Sequence, residues 1–224
     1  MHAFRRLVLT DLRNRRGTIW VTLGTMALLN VAVAILPLHM QIPENGLGFI
    51  MFLNIIVFAA VLLVPFLHCF STWRDEWKQH SIYQLLVLPV PRTYLLASKY
   101  ISILVEVMLI TAVMIAGLSI QYGVSGELLF RADPLVTFEW SKVLLVIKWF
   151  LSVTCCVFLC STSMLLGKCC GRLSLLVTFL SFIAGLFLWI ITFANFTSTF
   201  TLVIVSLAFF MASYYLLNKK VGVE

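Results

Sequence analysis

The sequence predicts an all-α integral membrane protein built as a bundle of six transmembrane helices. Hydrophobic residues make up 62% of the 224 residues and charged residues 11%. Soluble domains use about 45–50% apolar and about 25% charged residues, so the composition excludes an ordinary soluble fold. Six apolar runs are long enough to cross a hydrocarbon core of about 30 Å. They are continuous rather than alternating, which is typical of helices and not of a membrane β-barrel.

Six apolar segments are the predicted membrane spans, and they leave little chain for a soluble domain. We therefore predict a single transmembrane domain over residues 1–224. The spans are residues 17–37, 48–70, 95–118, 143–167, 173–194 and 197–217.

The positions of Lys and Arg predict the orientation. Thirteen of the sixteen basic residues lie before the first span, around the connections after the second and fourth spans, or after the last span. Because positive charge is retained on the cytoplasmic side, we expect a multi-pass cell-membrane protein with both termini in the cytoplasm. The first apolar run is as long as a span and lacks a small-x-small cleavage site, so we expect it to remain as an anchor. Nucleic-acid binding is not expected, since no basic stripe with interleaved aromatics occurs.

Residues 1–16 have the pattern of an amphipathic interfacial helix. Phe4, Leu7, Val8 and Leu12 recur at helical spacing, with Arg5 and further arginines between them. Such a helix either anchors the chain on anionic lipid or acts as an elbow that touches a cytoplasmic partner, and the sequence leaves both interpretations open.

The segment from Trp73 to Lys99 concentrates the polar chemistry of the chain. Pro89 and Pro91 cannot continue a helix, so a short helix is predicted to end near Leu88 and a new helix to start after Pro91. Residues 71–94 then form a cytoplasmic loop with a short coupling helix between the second and third spans. This helix is suited to docking in a groove of another protein. The alternative is an amphipathic loop that rests on the membrane.

These residues resemble the cytoplasmic loop of type-2 ABC exporter permeases. That loop typically has an acidic residue, a Leu-Leu pair, a Pro-Val-Ser-Arg run and a Lys that opens the third span. The corresponding residues here are Glu76, Leu85 with Leu86, Pro89 to Arg92, and Lys99. The family often has Gly-Thr after the acidic residue, whereas this chain has His80-Ser81. The six-span layout and the basic N-terminal helix are also similar to that family. The compact size resembles that of bacterial peptide-export or lantibiotic-immunity permeases.

The resemblance implies a permease subunit of an ATP-driven exporter. Two permeases, as two copies or paralogues, would face each other and bind separate ABC ATPase subunits that hold ATP and Mg. The chain itself is then expected to bind no cofactor and to catalyse nothing, which agrees with its lack of a GxxxxGK[ST] phosphate loop. The residues expected to couple to the ATPase are Trp73, Arg74, Asp75, Glu76, Trp77, Tyr83, Leu85, Leu86 and Arg92.

One acidic residue lies within a predicted span. Glu106 is about two turns inside the third span, where an ionised acid costs roughly 2.5–3.5 kcal/mol and usually faces a bundle interior or a cavity. It is a candidate for the substrate pathway or for gating. The alternatives are that it pairs with Lys99 or reaches towards the cytoplasmic surface.

Catalytic and metal sites are not expected. The four histidines are scattered, and no HExxH or GxSxG motif occurs. The six cysteines lie within or at the cytoplasmic ends of the spans, which argues against a disulfide framework, and they lack zinc-ligand spacing.

The few charges within the spans favour an amphipathic or hydrophobic cargo, such as a peptide, toxin, lipid or drug, although this step depends on the resemblance. The second functional hypothesis is a six-span membrane scaffold or sensor that moves no substrate.

Overall fold

The computed structural model of the chain describes residues 2–39, 47–78, 91–124, 140–195 and 199–219. These residues form seven α-helices and a short 3₁₀ turn, and no strand occurs among them. The helices are α1 (His2–Asn14), α2 (Arg16–His39), α3 (Leu47–Lys78), α4 (Arg92–Val124), α5 (Trp140–Cys169), α6 (Ser174–Asn195) and α7 (Thr199–Lys219). The predicted all-α fold is confirmed.

Six of the described helices, α2 to α7, are long and apolar enough to cross a membrane. Each overlaps one of the six predicted spans. The short helix α1 carries Arg5, Arg6 and Arg13 and precedes α2 after a single turn residue, Arg15. The six-span membrane bundle is therefore confirmed.

Helix α3 is longer than the span predicted for it. The sequence predicts a loop from residue 71, but the helix continues without a break to Lys78. The hydroxyl groups of Ser71 and Thr72 donate to the carbonyl of His68, at 3.2 and 2.7 Å, so these polar side chains are satisfied inside the helix. Residues 71–78 therefore extend the second membrane helix. The remainder of the predicted coupling helix, residues 79–90, lies outside the described residues.

Helix α4 begins at Arg92, directly after Pro91. The ring of Pro91 fixes its φ and removes an N–H donor, which is tolerated at the entrance of a helix but not in its interior. The carbonyl of Pro91 accepts a hydrogen bond from the backbone N–H of Tyr94 at 2.9 Å, which closes the first turn.

The chain divides into two compact units. Unit 1 comprises Met1–Leu9, Phe66–Ile103 and Glu139–Glu224, and unit 2 comprises Thr10–Pro65 and Leu104–Phe138. The apolar core of unit 2 is formed by one residue of α2, one of α3 and two of α4: Met26, Val61, Ile110 and Met114.

In unit 1, α5 packs against α6 and α7. The turn between α5 and α6 contains Gly171, whose φ of 57° is readily adopted only by glycine. Just before it, Gly167 lies so close to α6 that a Cβ atom would collide with the side chain of Thr178 and the carbonyl of Ser174. Small residues of this kind let membrane helices approach closely.

Candidate coupling site

The C-terminal end of α3 and the N-terminal end of α4 are joined by an ion pair between a buried lysine and a largely buried glutamate. The ammonium of Lys99 donates to the Oε1 atom of Glu76. The two side chains are only 5% and 16% exposed, respectively. The Nζ atom of Lys99 also lies 5.1 Å from the ring centre of Trp73, which is itself 1% exposed.

Glu76 and Trp73 together compensate the burial of Lys99. Burying an ammonium is costly unless a carboxylate and further polar contacts replace its water. The carboxylate of Glu76 supplies the opposite charge, and the π face of Trp73 adds a cation–π attraction. Removing one partner of such a buried pair typically costs roughly 3–5 kcal/mol, because the other charge stays buried.

The last turn and a half of α3 has two distinct faces. Trp73, Glu76 and Trp77 face the protein, and Trp77 lies under the ammonium of Lys168 of α5, 5.3 Å from the ring centre. The intervening residues Arg74 and Asp75 are exposed. Among the residues predicted to couple to a partner, Arg74 and Asp75 are therefore charged residues on the exposed face of α3.

The first turn of α4 contacts two other helices of unit 1. The guanidinium of Arg92 donates to the carbonyls of Leu217 and Asn218, at 3.1 and 2.9 Å, and to the Oδ1 atom of Asn218 at 2.8 Å. These are terminal carbonyls of α7, which lack partners within their own helix, so Arg92 caps that helix. The ring of Tyr94 meets that of Phe4 of α1 edge to face, with centres 5.6 Å apart.

Tyr100, in the next turns of α4, contacts α5. Its hydroxyl group lies 2.9 Å from the Oγ1 atom of Thr154, and its ring stacks on Phe158 with centres 4.9 Å apart. Phe158 in turn meets Phe210 of α7 edge to face at 5.2 Å. Residues 92–100 therefore make specific contacts with α1, α3, α5 and α7.

The predicted interfacial residues of α1 differ in exposure. Arg5 is exposed, whereas Phe4, Leu7, Val8 and Leu12 are half-buried. The helix thus has the two-sided character that its sequence pattern predicts.

Glu106 is buried, with 1% of its surface exposed. Its neighbour one turn further along α4, Ile110, is fully buried in the core of unit 2. Lys99, which the sequence analysis considered as a partner for Glu106, pairs with Glu76.

A cluster of three carboxamides in unit 2 was not anticipated from the sequence. The Nδ2 atom of Asn54 donates to the Oε1 atom of Gln121 at 2.8 Å. The Nε2 atom of Gln121 lies 3.2 Å from the Oδ1 atom of Asn54 and 3.3 Å from that of Asn30. Asn30 donates to the carbonyl of Met26 at 3.0 Å. All three residues are at most 5% exposed, so this carboxamide cluster joins α2, α3 and α4 through satisfied hydrogen bonds.

Helical periodicity in the sequence indicates that Glu76 lies on the inward face of α3. If the helix of the second span is continued past Phe70, residues 69, 73, 76 and 77 fall on one face. Cys69 and Trp73 on that face are each 1% exposed. The charged run Arg74-Asp75-Glu76 is therefore divided by helical periodicity rather than forming one patch.

The fold and the composition define a multi-pass helical membrane protein. The sequence matches the family described as ABC-2 family transporter protein over residues 7–220, nearly the whole chain. The chain belongs to this family, and it is therefore the permease component of an ABC transporter. Membership also implies ABC ATPase partners. The sequence matches no curated protein and no solved structure.

Proposed function

We propose that this chain is the permease subunit of an exporter, and that an ATPase subunit docks where α3 ends and α4 begins. The observation that carries the proposal is the ion pair between Glu76 and Lys99. It joins the two helices that flank the 79–91 connection, which is where the type-2 exporter permeases that this sequence resembles bind their ATPases. A force applied at this connection would reach both helices together.

The exposed charges of α3 are the proposed contact residues on the helix itself. Arg74 and Asp75 are exposed, whereas Trp73 and Glu76 are occupied by contacts within unit 1. We assign docking to Arg74 and Asp75, and we assign support of the helix end to Trp73, Glu76 and Trp77. Tyr83, Leu85 and Leu86, which fall outside the described residues, remain proposed members of the same surface.

The other components of the transporter and its orientation in the membrane are proposed from the resemblance and from the charge distribution. A second copy or a paralogue completes the permease, and the partner ATPases hold ATP and Mg. Both termini lie in the cytoplasm, because thirteen of the sixteen basic residues then lie on that side. The basic helix α1 contacts anionic lipid through exposed arginines such as Arg5.

The proposed cargo is amphipathic or hydrophobic, for example a peptide, toxin, lipid or drug taken from the bilayer and moved out of the cell. The long helices carry few charges, and an apolar path suits such molecules. Because Glu106 is buried in the described arrangement, we propose that it acts in gating: a rearrangement of unit 2 would be needed before it could contact cargo.

The docking proposal is tested by reversing the charge of Asp75. Asp75→Lys should reduce the amount of ATPase that co-purifies with the tagged chain, because the change alters the exposed face and leaves the buried contacts of α3 in place. The matched control is Asp11→Lys, the same change at a half-buried acidic residue of α1. Equal recovery of the ATPase with both variants, in membranes containing equal amounts of chain, would contradict the docking role. Recovery of no ATPase with the folded parent chain would favour the scaffold or sensor hypothesis.

A further inference from the structure

We propose that Lys99 and Tyr100 are positioning residues. Through them, the first three turns of α4 transmit movement from the end of α3 to α5 and α7. The inference rests on the proposed function, because it concerns how movement produced by an ATPase spreads through unit 1. Lys99 and Tyr100 lie outside the docking surface and would carry the movement away from it.

The first step of the route is the link from α3 to α4. Lys99 is 4% exposed and is held at once by the carboxylate of Glu76 and the ring of Trp73, both on α3. Separating an ion pair in a site with little water is costly, because water does not readily replace either partner. The two helix ends therefore move together rather than slide past each other.

The second step is the link from α4 to α5. Tyr100 is adjacent in sequence to Lys99, so it is about 100° further round the helix and points to a different neighbour. Its hydroxyl group bonds to Thr154, and its ring stacks on Phe158 with an interplanar angle of 21°. A hydrogen bond combined with a ring stack fixes both the position and the tilt of α4 against α5.

The third step is the link to α7. Phe158 meets Phe210 edge to face at 5.2 Å, one turn along α5 from Thr162, whose hydroxyl lies 2.8 Å from that of Ser213 of α7. Arg92 provides a separate tie to the C-terminal carbonyls of α7. Helix α7 is thus held to α4 both directly and through α5, and it should follow displacement of α4.

The experiment measures movement of α7 relative to α3 in the complete transporter, purified with its ATPase and placed in lipid nanodiscs. Spin labels are attached at residues 67 and 211, where Leu67 and Met211 are 63% exposed on α3 and α7. The exposed Cys169 and Cys170 are first changed to Ser so that they take no label. The distance between the labels is recorded without nucleotide and with Mg-ATP and vanadate.

Because α7 is held to α3 through α4 in the parent protein, the nucleotide should leave the distance distribution nearly unchanged. In Lys99→Met the end of α3 should move without α7, and the ratio of shifted to unshifted molecules should rise about two- to thirtyfold, the range found for residues on coupling networks. Tyr100→Phe, which removes only the hydroxyl, should give a smaller rise. The matched control Lys148→Met, in the N-terminal part of α5, should behave like the parent.

A parent complex that carries no ATPase overturns both the proposed function and this inference. A nucleotide-dependent shift in the parent, or an unchanged distance in both Lys99→Met and Tyr100→Phe, overturns only the route described here. If Lys99→Met does not fold, Glu76→Gln with Lys99→Met leaves no unbalanced buried charge and should fold, but it should still show the increased shift. An unchanged distance in that double variant also overturns the inference.

Discussion

Glu76 and Lys99 are separated by 23 positions in the sequence, yet their side chains form an ion pair between the two helices that flank residues 79–91. Trp73 covers the ammonium, and both charged groups are largely removed from solvent. The ion pair therefore links helices α3 and α4, and its removal should affect the stability of the protein as well as its function.

Removing the lysine alone should be worse than removing both charges. Lys99→Met leaves the largely buried carboxylate of Glu76 without the ammonium that balances its charge, and we expect a loss of roughly 3–5 kcal/mol in the free energy of unfolding. Glu76→Gln with Lys99→Met removes both charges and should recover most of that loss. The midpoint of thermal unfolding in mild detergent measures both effects. A double variant less stable than Lys99→Met would contradict the ion-pair interpretation.

The carboxamide cluster should show energetic coupling between helices α3 and α4. Asn54→Leu and Gln121→Leu each break the bond between the two side chains, so their effects should not add. A double-mutant cycle should give a coupling free energy of about 1 kcal/mol, within the range for hydrogen bonds between membrane helices. Ser119→Ala, on an exposed part of α4, provides a control with little effect. Strict additivity of the two leucine variants would show that the bond contributes nothing.

The close contact of α5 with α6 should make Gly167 intolerant of a side chain. In Gly167→Ala the new methyl group would meet Thr178 and the backbone of Ser174, and we expect destabilisation of about 1–3 kcal/mol. Gly24 of α2 has open space at the same position, so Gly24→Ala should be neutral or slightly stabilising because alanine favours the helix. The two variants are compared by measuring how much folded protein remains in detergent after heating. Equal behaviour would contradict the described packing.

Loss of the Arg92 cap should loosen the end of α7. Arg92→Met removes the donors to the carbonyls of Leu217 and Asn218, and a half-exposed interaction of this kind contributes about 1 kcal/mol. Hydrogen exchange of backbone amides in the last turn of α7 should become faster, while exchange in α6 stays unchanged. Arg13→Met, an exposed arginine of α1, serves as the control. Unchanged exchange at the end of α7 would show that Arg92 does not cap it.

The sequence was sufficient for the fold class because a span of about 20 apolar residues is a local property. It also placed the start of α4 directly after Pro91, since proline restricts the backbone locally. It did not indicate that α3 continues to Lys78. The residues Ser71 and Thr72 suggest a loop, but their hydroxyls are satisfied by the preceding turn.

The internal contacts of the candidate site could not be derived from the sequence in the same way. Arg74, Asp75 and Glu76 are consecutive charged residues, and helical periodicity separates Glu76 from the other two only if α3 is known to continue past Phe70. The pairing of Glu76 with Lys99 depends on how α3 packs against α4. The contacts of Arg92 with α7 and of Tyr100 with α5 join residues far apart in the chain. They depend on tertiary arrangement, for which the local pattern holds no signal.

The most direct test of the account is to isolate the tagged chain from its native membrane in mild detergent and to identify by mass spectrometry what remains bound. The account predicts an ATP-hydrolysing ABC subunit in stoichiometric amount, which is retained by the parent chain and depleted in Asp75→Lys. A folded, monodisperse chain that carries no such subunit would contradict it and would favour a membrane scaffold or sensor.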